Sequence, residues 1–253
     1  MIDTHCHVFS GEVENYLDVI EECKKNDISL ILNSFDINSS LEVINLSKKF
    51  DNVYASIGLN YDVIDKIEEK DLVLLEELLN KENILALGEI GLDYYWTKKN
   101  KEKQIYFFEK QLELAKKYDL PVIVHARESI KDVYDIIKKA NVSRGTMHCY
   151  SGSLEMAKEF IKLGFKIGID GPITYKNNKK GIELVKNLEL KDLLLETDSP
   201  YLSPEPNRGK TNTPLNLVYI VEKIAEIKNV SIEEVVKETS KNAKELFKIW
   251  IKK

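Results

Sequence analysis

The chain has 253 residues, of which 43% are hydrophobic and 31% charged, the composition of an ordinary globular protein. Its 37 basic and 42 acidic residues give a formal net charge of −5, which argues against a protein that coats long nucleic acid, because such a protein needs a broad positive field. The charge leaves open an enzyme that handles phosphates in one small pocket, where bound metal ions supply the positive charge. No apolar run approaches the roughly 18 residues of a membrane helix. No leader sequence follows Met1, and three cysteines do not make a disulfide framework, so we expect a cytoplasmic protein.

Short apolar runs alternate eight times with amphipathic segments along the chain. The predicted strands are Ile2–His5, Ile28–Leu32, Val53–Ile57, Ile84–Gly88, Val122–His125, Thr146–His148, Phe165–Ile169 and Leu193–Glu196. Between them, apolar residues recur at three- and four-residue steps, as helices with one buried face require. Strands separated by helices pair in parallel through right-handed crossovers. Eight such units in about 250 residues predict an α/β fold, a (β/α)₈ TIM barrel.

The segment after Pro214 is predicted to add C-terminal helices. Ser231 and Glu234 are spaced as in a capping box, which marks a helix start. A buried apolar stripe follows, formed by Val235, Thr239, Ala243, Leu246, Phe247 and Trp250. We find no repeat or flexible linker that would divide the chain, so we predict one domain, residues 1–253.

Residues that can bind a metal follow the predicted strands at one end of the barrel, where catalytic groups of such barrels lie. They are His5 and His7 after the first strand, Glu89 after the fourth, His125 and His148 at the ends of the fifth and sixth, and Asp198 after the eighth. One histidine there would more often be structural than a ligand. These four, however, are all the histidines of the sequence, and two carboxylates accompany them. The pattern therefore predicts a metal site.

Six ligands exceed what one tetrahedral ion with an open position needs. They suit two divalent ions about 3.5–4 Å apart, bridged by a carboxylate and a hydroxide. We assign Glu89 as the bridge, because its two oxygens can reach both ions. His5, His7, Glu89 and Asp198 would bind the first ion, and Glu89, His125 and His148 the second. The resulting small net positive charge suits a phosphodiester and fits a neutral amide less specifically.

Seven segments carry a resemblance to a known family. They are Asp3-Thr4-His5-Cys6-His7, Gly88-Glu89-Ile90-Gly91-Leu92-Asp93-Tyr94, Pro121-Val122-Ile123-Val124-His125-Ala126-Arg127, His148-Cys149-Tyr150-Ser151-Gly152, Glu196-Thr197-Asp198-Ser199-Pro200-Tyr201, Arg208-Gly209-Lys210-Thr211-Asn212 and Asn242-Ala243-Lys244-Glu245-Leu246-Phe247. In this order and spacing the chain resembles the TatD family. The resemblance implies a metal-dependent TIM-barrel hydrolase of the amidohydrolase superfamily, usually described as a deoxyribonuclease, with the same six residues as metal ligands.

Two stretches depart from the family pattern. Gly58-Leu59-Asn60-Tyr61 stands where members often have Gly-x-His-Pro, and His7-Val8-Phe9 stands where they often have His-Leu-Asp. Neither departure removes one of the six ligands. Both lie on the catalytic rim, so they concern substrate preference more than the chemistry.

The expected reaction is hydrolysis of a phosphodiester in DNA, a nuclease activity at single-stranded or frayed ends, in which a metal-activated water attacks phosphorus. Asp198 would bind a metal and also accept the proton of the water, with Glu89 as the second catalytic carboxylate; a purely structural ligand is the alternative for Asp198. Glu196 is expected to orient a histidine or pair with a base.

Further residues are expected to contact the substrate. Arg127 would grip a phosphate, with an ion pair to Glu128 as the alternative. Arg208 and Lys210 would do so too, unless their loop is simply solvated. Tyr94, Trp96 and Tyr150 would stack on unpaired bases, or else pack on the rim; Tyr95 shares this aromatic run.

Other functions remain open at this point. The same site would serve an amide or ester hydrolase, such as a D-aminoacyl-tRNA deacylase, and a non-catalytic metal-binding protein is the third alternative. Zinc, manganese and magnesium all suit the ligands. Cleavage polarity, DNA versus RNA and the oligomeric state stay open, with a monomer favoured.

Overall fold

Parallel strands form one sheet whose order follows the chain in the computed structural model, which describes residues 1–96 and 99–249. Within those residues the strands are β1 (Ile2–Cys6), β2 (Ser29–Asn33), β3 (Val53–Ile57), β4 (Ala86–Asp93), β5 (Val122–Arg127), β6 (Gly145–Met147), β7 (Phe165–Ile169) and β8 (Leu193–Leu195). Each strand pairs in parallel with the next one.

Helices cover the outside of the sheet and alternate with the strands. Within the described residues they are α1 (Tyr16–Lys25), α2 (Ile37–Lys49), α3 (Glu69–Lys81), α4 (Lys101–Lys117), α5 (Ile130–Ala140), α6 (Leu154–Lys162), α7 (Lys179–Asn187), α8 (Leu217–Lys228) and α9 (Ile232–Phe247). The predicted (β/α)₈ TIM barrel with additional C-terminal helices is confirmed. None of these helices is long and apolar enough to cross a membrane. The single-domain assignment for residues 1–253 stays a prediction.

The barrel closes between β1 and the segment after β8. Thr4 Oγ1 donates to Leu195 O (3.0 Å), Asp198 N to His5 O (2.9 Å) and His7 N to Ser199 O (2.7 Å). The buried Asp3 carboxylate adds to this seam, since it accepts from Thr197 N (3.0 Å) and Thr197 Oγ1 (2.5 Å). These bonds place the segments that carry His5, His7 and Asp198 side by side.

Two apolar layers hold the barrel together. Leu30 and Leu32 point outward to the helices, whereas Ile31 points inward, as the two-residue period of a strand requires. The inward layer also contains Ile2, Ala86, Ile123 and Leu194, and Ala243, Leu246 and Phe247 of α9 pack against it. The C-terminal helix therefore closes the amino end of the barrel, which leaves polar chemistry to the carboxyl end.

The start of α9 agrees with the sequence pattern in part. Ser231 Oγ accepts from Glu234 N (3.1 Å), which is one of the two bonds of a capping box. Val235, Thr239, Ala243, Leu246 and Phe247 are buried as predicted. Trp250, the last position of the predicted stripe, lies outside the described residues.

Several strand ends differ from the prediction. Glu89 does not end β4 but lies inside it, because β4 continues to Asp93. The pairing of β4 with β5 shifts between Leu87 and Ile90, an irregularity that contains Glu89 and re-aims its side chain. His148 follows the end of β6 at Met147, and Asp198 comes three residues after β8. These local deviations still deliver all three side chains to the same end of the barrel.

Candidate metal centre

The six predicted ligands, separated by up to 193 positions in sequence, meet at the carboxyl end of the barrel. Their ligand atoms form three overlapping groups, each within 4.8 Å: His5 with His7 and Glu89, Glu89 with His125 and His148, and His5 with His148 and Asp198. The Nε2 atoms of His5 and His7 lie 3.1 Å apart, so two lone-pair donors share one small volume. Imidazole nitrogens and carboxylate oxygens arranged in this way fit a divalent transition metal. Their role as ligands stays a prediction.

Glu89 turns one oxygen to each half of the centre. Its Oε2 lies 3.7 Å from the Nε2 atoms of both His5 and His7. Its Oε1 lies 3.0 Å from His125 Nδ1 and 3.4 Å from His148 Nε2. Asp198 completes the first half, with Oδ1 3.5 Å from His5 Nε2 and 3.6 Å from His7 Nε2.

The far sides of three imidazoles are held by neighbouring groups. His7 Nδ1 lies 2.7 Å from Asn33 O, and His125 Nε2 lies 3.0 Å from Asp93 Oδ2. His148 Nδ1 lies 3.3 Å from Glu196 Oε1, near enough for an ion pair but without good hydrogen-bond geometry. Such contacts fix which ring nitrogen faces a metal. His5 is the exception, since its Nδ1 has no hydrogen-bond partner among the described residues.

Burial and mutual charge shape the protonation of the centre. Burial lowers the pKa of His5 well below its usual value, and the neighbouring His148 adds to the effect. Although burial opposes it, Glu89 and then Glu196 raise the pKa of His148 to about 10. Burial also opposes ionisation of Glu89, yet His148, His125 and His5 hold its pKa well below the usual range. The shifts thus favour an ionised Glu89 beside a protonated His148. A cation bound between them would take the place of the imidazole proton.

Backbone strain marks one predicted ligand, Asp198, and one residue beside another. Asp198 has φ +55° and Cys149, next to His148, has φ +43°, both in the left-handed region that non-glycine residues rarely adopt. Strain of this kind collects at functional sites. At Asp198 it is held by the bond from Asp198 N to His5 O (2.9 Å).

The centre lies at the base of a cavity of about 430 Å³. Aromatic rings cover the imidazoles: Tyr61 stacks on His125 with centroids 4.2 Å apart, and Phe35 on His7 at 4.4 Å. Arg127, Pro172, Tyr201 and Leu202 form more of the wall.

The predicted substrate residues fall into different environments. Arg127 lines the cavity, and its guanidinium lies 3.8 Å from the ring centroid of Tyr95 and 5.5 Å from that of Trp96. It makes no ion pair with Glu128 among the described side chains. Trp96 is 70% exposed, and Tyr95 is half exposed. These three residues are called the aromatic platform below.

Other predicted substrate residues lie elsewhere. Tyr94 is only 6% exposed, and its hydroxyl donates to Asp132 (3.0 Å) rather than facing the cavity. Tyr150 is half-buried, with its hydroxyl donating to Ser153 O (2.9 Å). Arg208 and Lys210 are exposed, and the Arg208 guanidinium lies 4.4 Å from the Tyr175 ring centroid.

Sequence reasoning missed Asn60 and Asp93 as supports of the centre. Asn60 Nδ2 donates to Glu89 Oε2 (2.8 Å). Asp93 holds His125, and its Oδ1 accepts from Tyr95 N (2.8 Å), which links the centre to the aromatic platform. The signal for Asp93 was its even spacing from Glu89 along one strand, which puts both on one face. For Asn60 the departure from the family pattern was the available signal.

Known proteins are similar to this chain in sequence and in fold. A family model described as "TatD related DNase" matches residues 2–248. The uncharacterized metal-dependent hydrolase YabD of Bacillus subtilis is 40% identical, over 98% of this chain and 99% of its own length. The uncharacterized metal-dependent hydrolase YcfH of Escherichia coli is 32% identical, over 98% and 96%. The crystal structure of YjjV, a TatD homologue from Escherichia coli, superposes with a TM-score of 0.92 at 30% identity, covering 99% of this chain and 98% of that one.

Proposed function

The chain belongs to the TatD family of metal-dependent hydrolases, and from that membership and its site we propose that it cleaves phosphodiester bonds in DNA at single-stranded or frayed ends. The observation that carries the proposal is the division of Glu89 between the two halves of the centre, one oxygen to each. A carboxylate used in this way is typical of sites that hold a pair of metal ions and hydrolyse phosphate esters.

Two divalent ions, when bound, would lower the pKa of a water molecule and neutralise charge on the phosphate oxygens. His5, His7, Glu89 and Asp198 would hold one ion. Glu89, His125 and His148 would hold the other. Imidazole-rich ligands favour zinc or manganese, and the carboxylates also admit magnesium.

Asp198 is the carboxylate best placed to accept a proton from the nucleophilic water. Its side chain is 14% exposed to the cavity, whereas that of Glu89 is 4% exposed and divided between four imidazoles. The left-handed backbone of Asp198 fixes its direction. Glu89 would therefore hold the ions, and Asp198 would also move the proton.

The aromatic platform, including Arg127, supports a nucleic-acid substrate. The guanidinium presents its donors at the cavity wall, where a phosphate would lie, and stacks on Tyr95 at the same time. Trp96 leaves a large ring face open to solvent. Unpaired bases stack on such rings, and each stacked base contributes roughly 1–3 kcal/mol to binding. Single strands should therefore bind better than duplex interiors. Arg208 and Lys210 would contact phosphates further along the strand, and the enzyme would work as a cytoplasmic monomer.

The test begins with chelated protein reloaded with zinc, manganese or magnesium, one at a time. We expect at least one form to shorten a 5′-labelled single-stranded oligonucleotide, and the chelated protein to leave it intact. Asp198→Asn should lower kcat by about 10²–10⁴-fold, the usual contribution of a general base, with both ions still bound. Asp135→Asn, on the exposed face of α5, is the matched control.

Assays with other substrates distinguish the nuclease from the alternative, an amide or ester hydrolase. A D-aminoacyl-tRNA and a dihydropyrimidine amide are assayed in parallel with the oligonucleotide. If every metal-loaded form leaves the oligonucleotide uncut and consumes one of the other two, the nuclease proposal is wrong. Trp96→Ala should raise KM for single strands by about fivefold or more, whereas Tyr106→Ala, an exposed aromatic on α4, should not.

A further inference from the structure

A second cavity lies beside the metal centre, between the loops that follow β6 and β7. Its volume is about 160 Å³. Cys149, Ser151 and Pro172 line both this cavity and the one above the metal centre, so the two spaces adjoin. We call it the side cavity. Its lining includes none of the predicted ligands and no residue of the aromatic platform.

Asp170 lines the side cavity with a buried carboxyl group, one oxygen of which is unsatisfied. The residue is 6% exposed, and its Oδ2 has no hydrogen-bond partner among the described residues. A buried acceptor left unpaired is costly and uncommon. Asp3, with similar burial, instead accepts from Thr197.

Asp170 also lacks the helix-capping hydrogen bond that its position would allow. It precedes the short helix Gly171–Thr174 at the place where an aspartate ordinarily caps the backbone, yet its side chain makes no capping bond. Asp36, which precedes α2, and Asn60, which precedes the short helix Tyr61–Lys66, both accept such bonds. Burial raises the pKa of Asp170 to about 7 and Glu196 adds to the rise, although the Cys149 thiol and His148 oppose it. The protein therefore stabilises the ionised carboxyl poorly.

Two other polar groups of the side cavity, on Asn178 and Lys180, are already satisfied or solvated. Asn178 Oδ1 accepts from Gly181 N (2.9 Å), and its Nδ2 donates to Pro172 O (2.9 Å). Lys180 is exposed at the edge and forms no salt bridge among the described residues. Ile169, Ile173 and Leu184 supply apolar walls. The cavity thus offers one buried acceptor, an apolar enclosure and a cation at its edge.

These features define the ligand. The cavity is smaller than the roughly 300–1,000 Å³ that holds a whole drug-sized molecule, so it suits a single heterocycle. An apolar enclosure with one acceptor suits a planar ring that carries an N–H group. A cationic amine would pair with Asp170 as well, but Lys180 at the edge disfavours a second cation.

We propose that the side cavity is a base subsite, which receives the nucleobase next to the scissile phosphodiester while Asp170 Oδ2 accepts one of its N–H groups. Lys180 at the edge pairs with the adjoining phosphate. The assignment rests on the phosphodiesterase function proposed above and adds a reason for preferring nucleotide esters to simple ones.

The kinetic test compares two esters with the same leaving group. One is the p-nitrophenyl ester of thymidine 5′-phosphate, and the other is bis(p-nitrophenyl) phosphate, which lacks a base. We expect the ratio of their kcat/KM values to exceed tenfold in the parent and to fall by about 10- to 100-fold in Asp170→Leu, in line with loss of a hydrogen bond to a charged group. Asp170→Ala, which likewise lacks an acceptor, serves if the leucine variant does not fold. Glu183→Gln, on the exposed side of α7, is the control.

A ratio unchanged by Asp170→Leu, or equal loss with both esters, would overturn the subsite. Binding of thymidine and guanosine, measured by ligand-detected NMR, gives a readout that needs no catalysis. Nucleoside binding that is lost in Asp170→Leu supports the subsite even where neither ester is cleaved, in which case only the proposed reaction fails. Binding that is absent in the parent, or equal in parent and variant, refutes the subsite, and binding of propylamine in place of nucleosides would assign the cavity to amines.

Discussion

Asn60 is expected to set the orientation of Glu89, the carboxylate shared by both halves of the candidate metal centre. The residue is fully buried, and each half of its amide has a single use. Oδ1 accepts from Asp62 N (2.8 Å), which turns Nδ2 toward Glu89 Oε2 at 2.8 Å. That oxygen is the one that faces His5 and His7. The amide therefore holds the Glu89 oxygen that faces the first half of the candidate metal centre.

Asn60→Leu removes the donor and keeps the number and branching of the side-chain heavy atoms. A hydrogen bond to a charged group contributes about 1.5–3 kcal/mol, and leaving a buried carboxylate oxygen without it costs a similar amount. Groups that support metal ligands typically change metal affinity or activity by about 10–100-fold. We expect Asn60→Leu to weaken binding of zinc or manganese within that range, because Glu89 loses its fixed orientation.

The assay is a competitive chelator titration of the purified variants, which reports affinity without catalysis. Asn60→His restores a donor of the type that family members often have here, so it should recover most of the affinity. Asn52→Leu is the matched control, since Asn52 Nδ2 donates to Ile28 O (3.2 Å) far from the centre. It should lower stability and leave metal affinity unchanged. If Asn60→Leu binds metal as tightly as the parent, Asn60 does not orient Glu89. The same conclusion follows if Asn60→His binds metal no more tightly than Asn60→Leu.

Two further predictions concern stability. Gly168→Ala should lower the free energy of unfolding in urea by about 1–3 kcal/mol, because a Cβ there meets the Glu196 carboxylate. The cost should shrink in a Glu196→Ala background, and a cost of the same size there would contradict the clash. Asp132→Asn should cost less than about 1 kcal/mol at neutral pH, since both side chains of the Lys101–Asp132 ion pair are partly exposed. Lys101 and Tyr94 lower the pKa of Asp132 from its usual 3.8, so its contribution is present above that value and lost as the pH falls through the lowered one. Urea midpoints of parent and variant should therefore converge as the pH falls below 3.8 and through the lowered pKa of Asp132, and a deficit independent of pH would contradict the ion pair.

Much of the architecture could be predicted from local pattern. Largely apolar runs such as Val53–Ile57 and Phe165–Ile169 became strands with the predicted ends, because buried parallel strands are mostly apolar. The convergence of His5, His125 and Asp198 also followed from the sequence. A barrel brings every strand end to one rim, so residues at strand ends meet regardless of their separation along the chain.

The supports of the centre could not be predicted in the same way. Tyr94 and Tyr95 are neighbours in sequence, yet one is buried against Asp132 and the other stacks on Arg127. The direction of each depends on the turn that Asp93 anchors, which involves the partner strand β5 as well as β4. No periodicity in the sequence encodes that turn.

The residue types alone settle which side chains can hold a cation and that they share a rim, because those properties depend on chemistry and on strand order. How Glu89 divides its oxygens, why Asn60 points at it and why Asp170 has no partner depend on distances between strands and loops. Those distances follow from the shift in β4 and from the seam between β1 and the segment after β8, where bonds join residues almost 200 positions apart. Packing of the whole barrel sets them, and no short stretch of sequence contains that information.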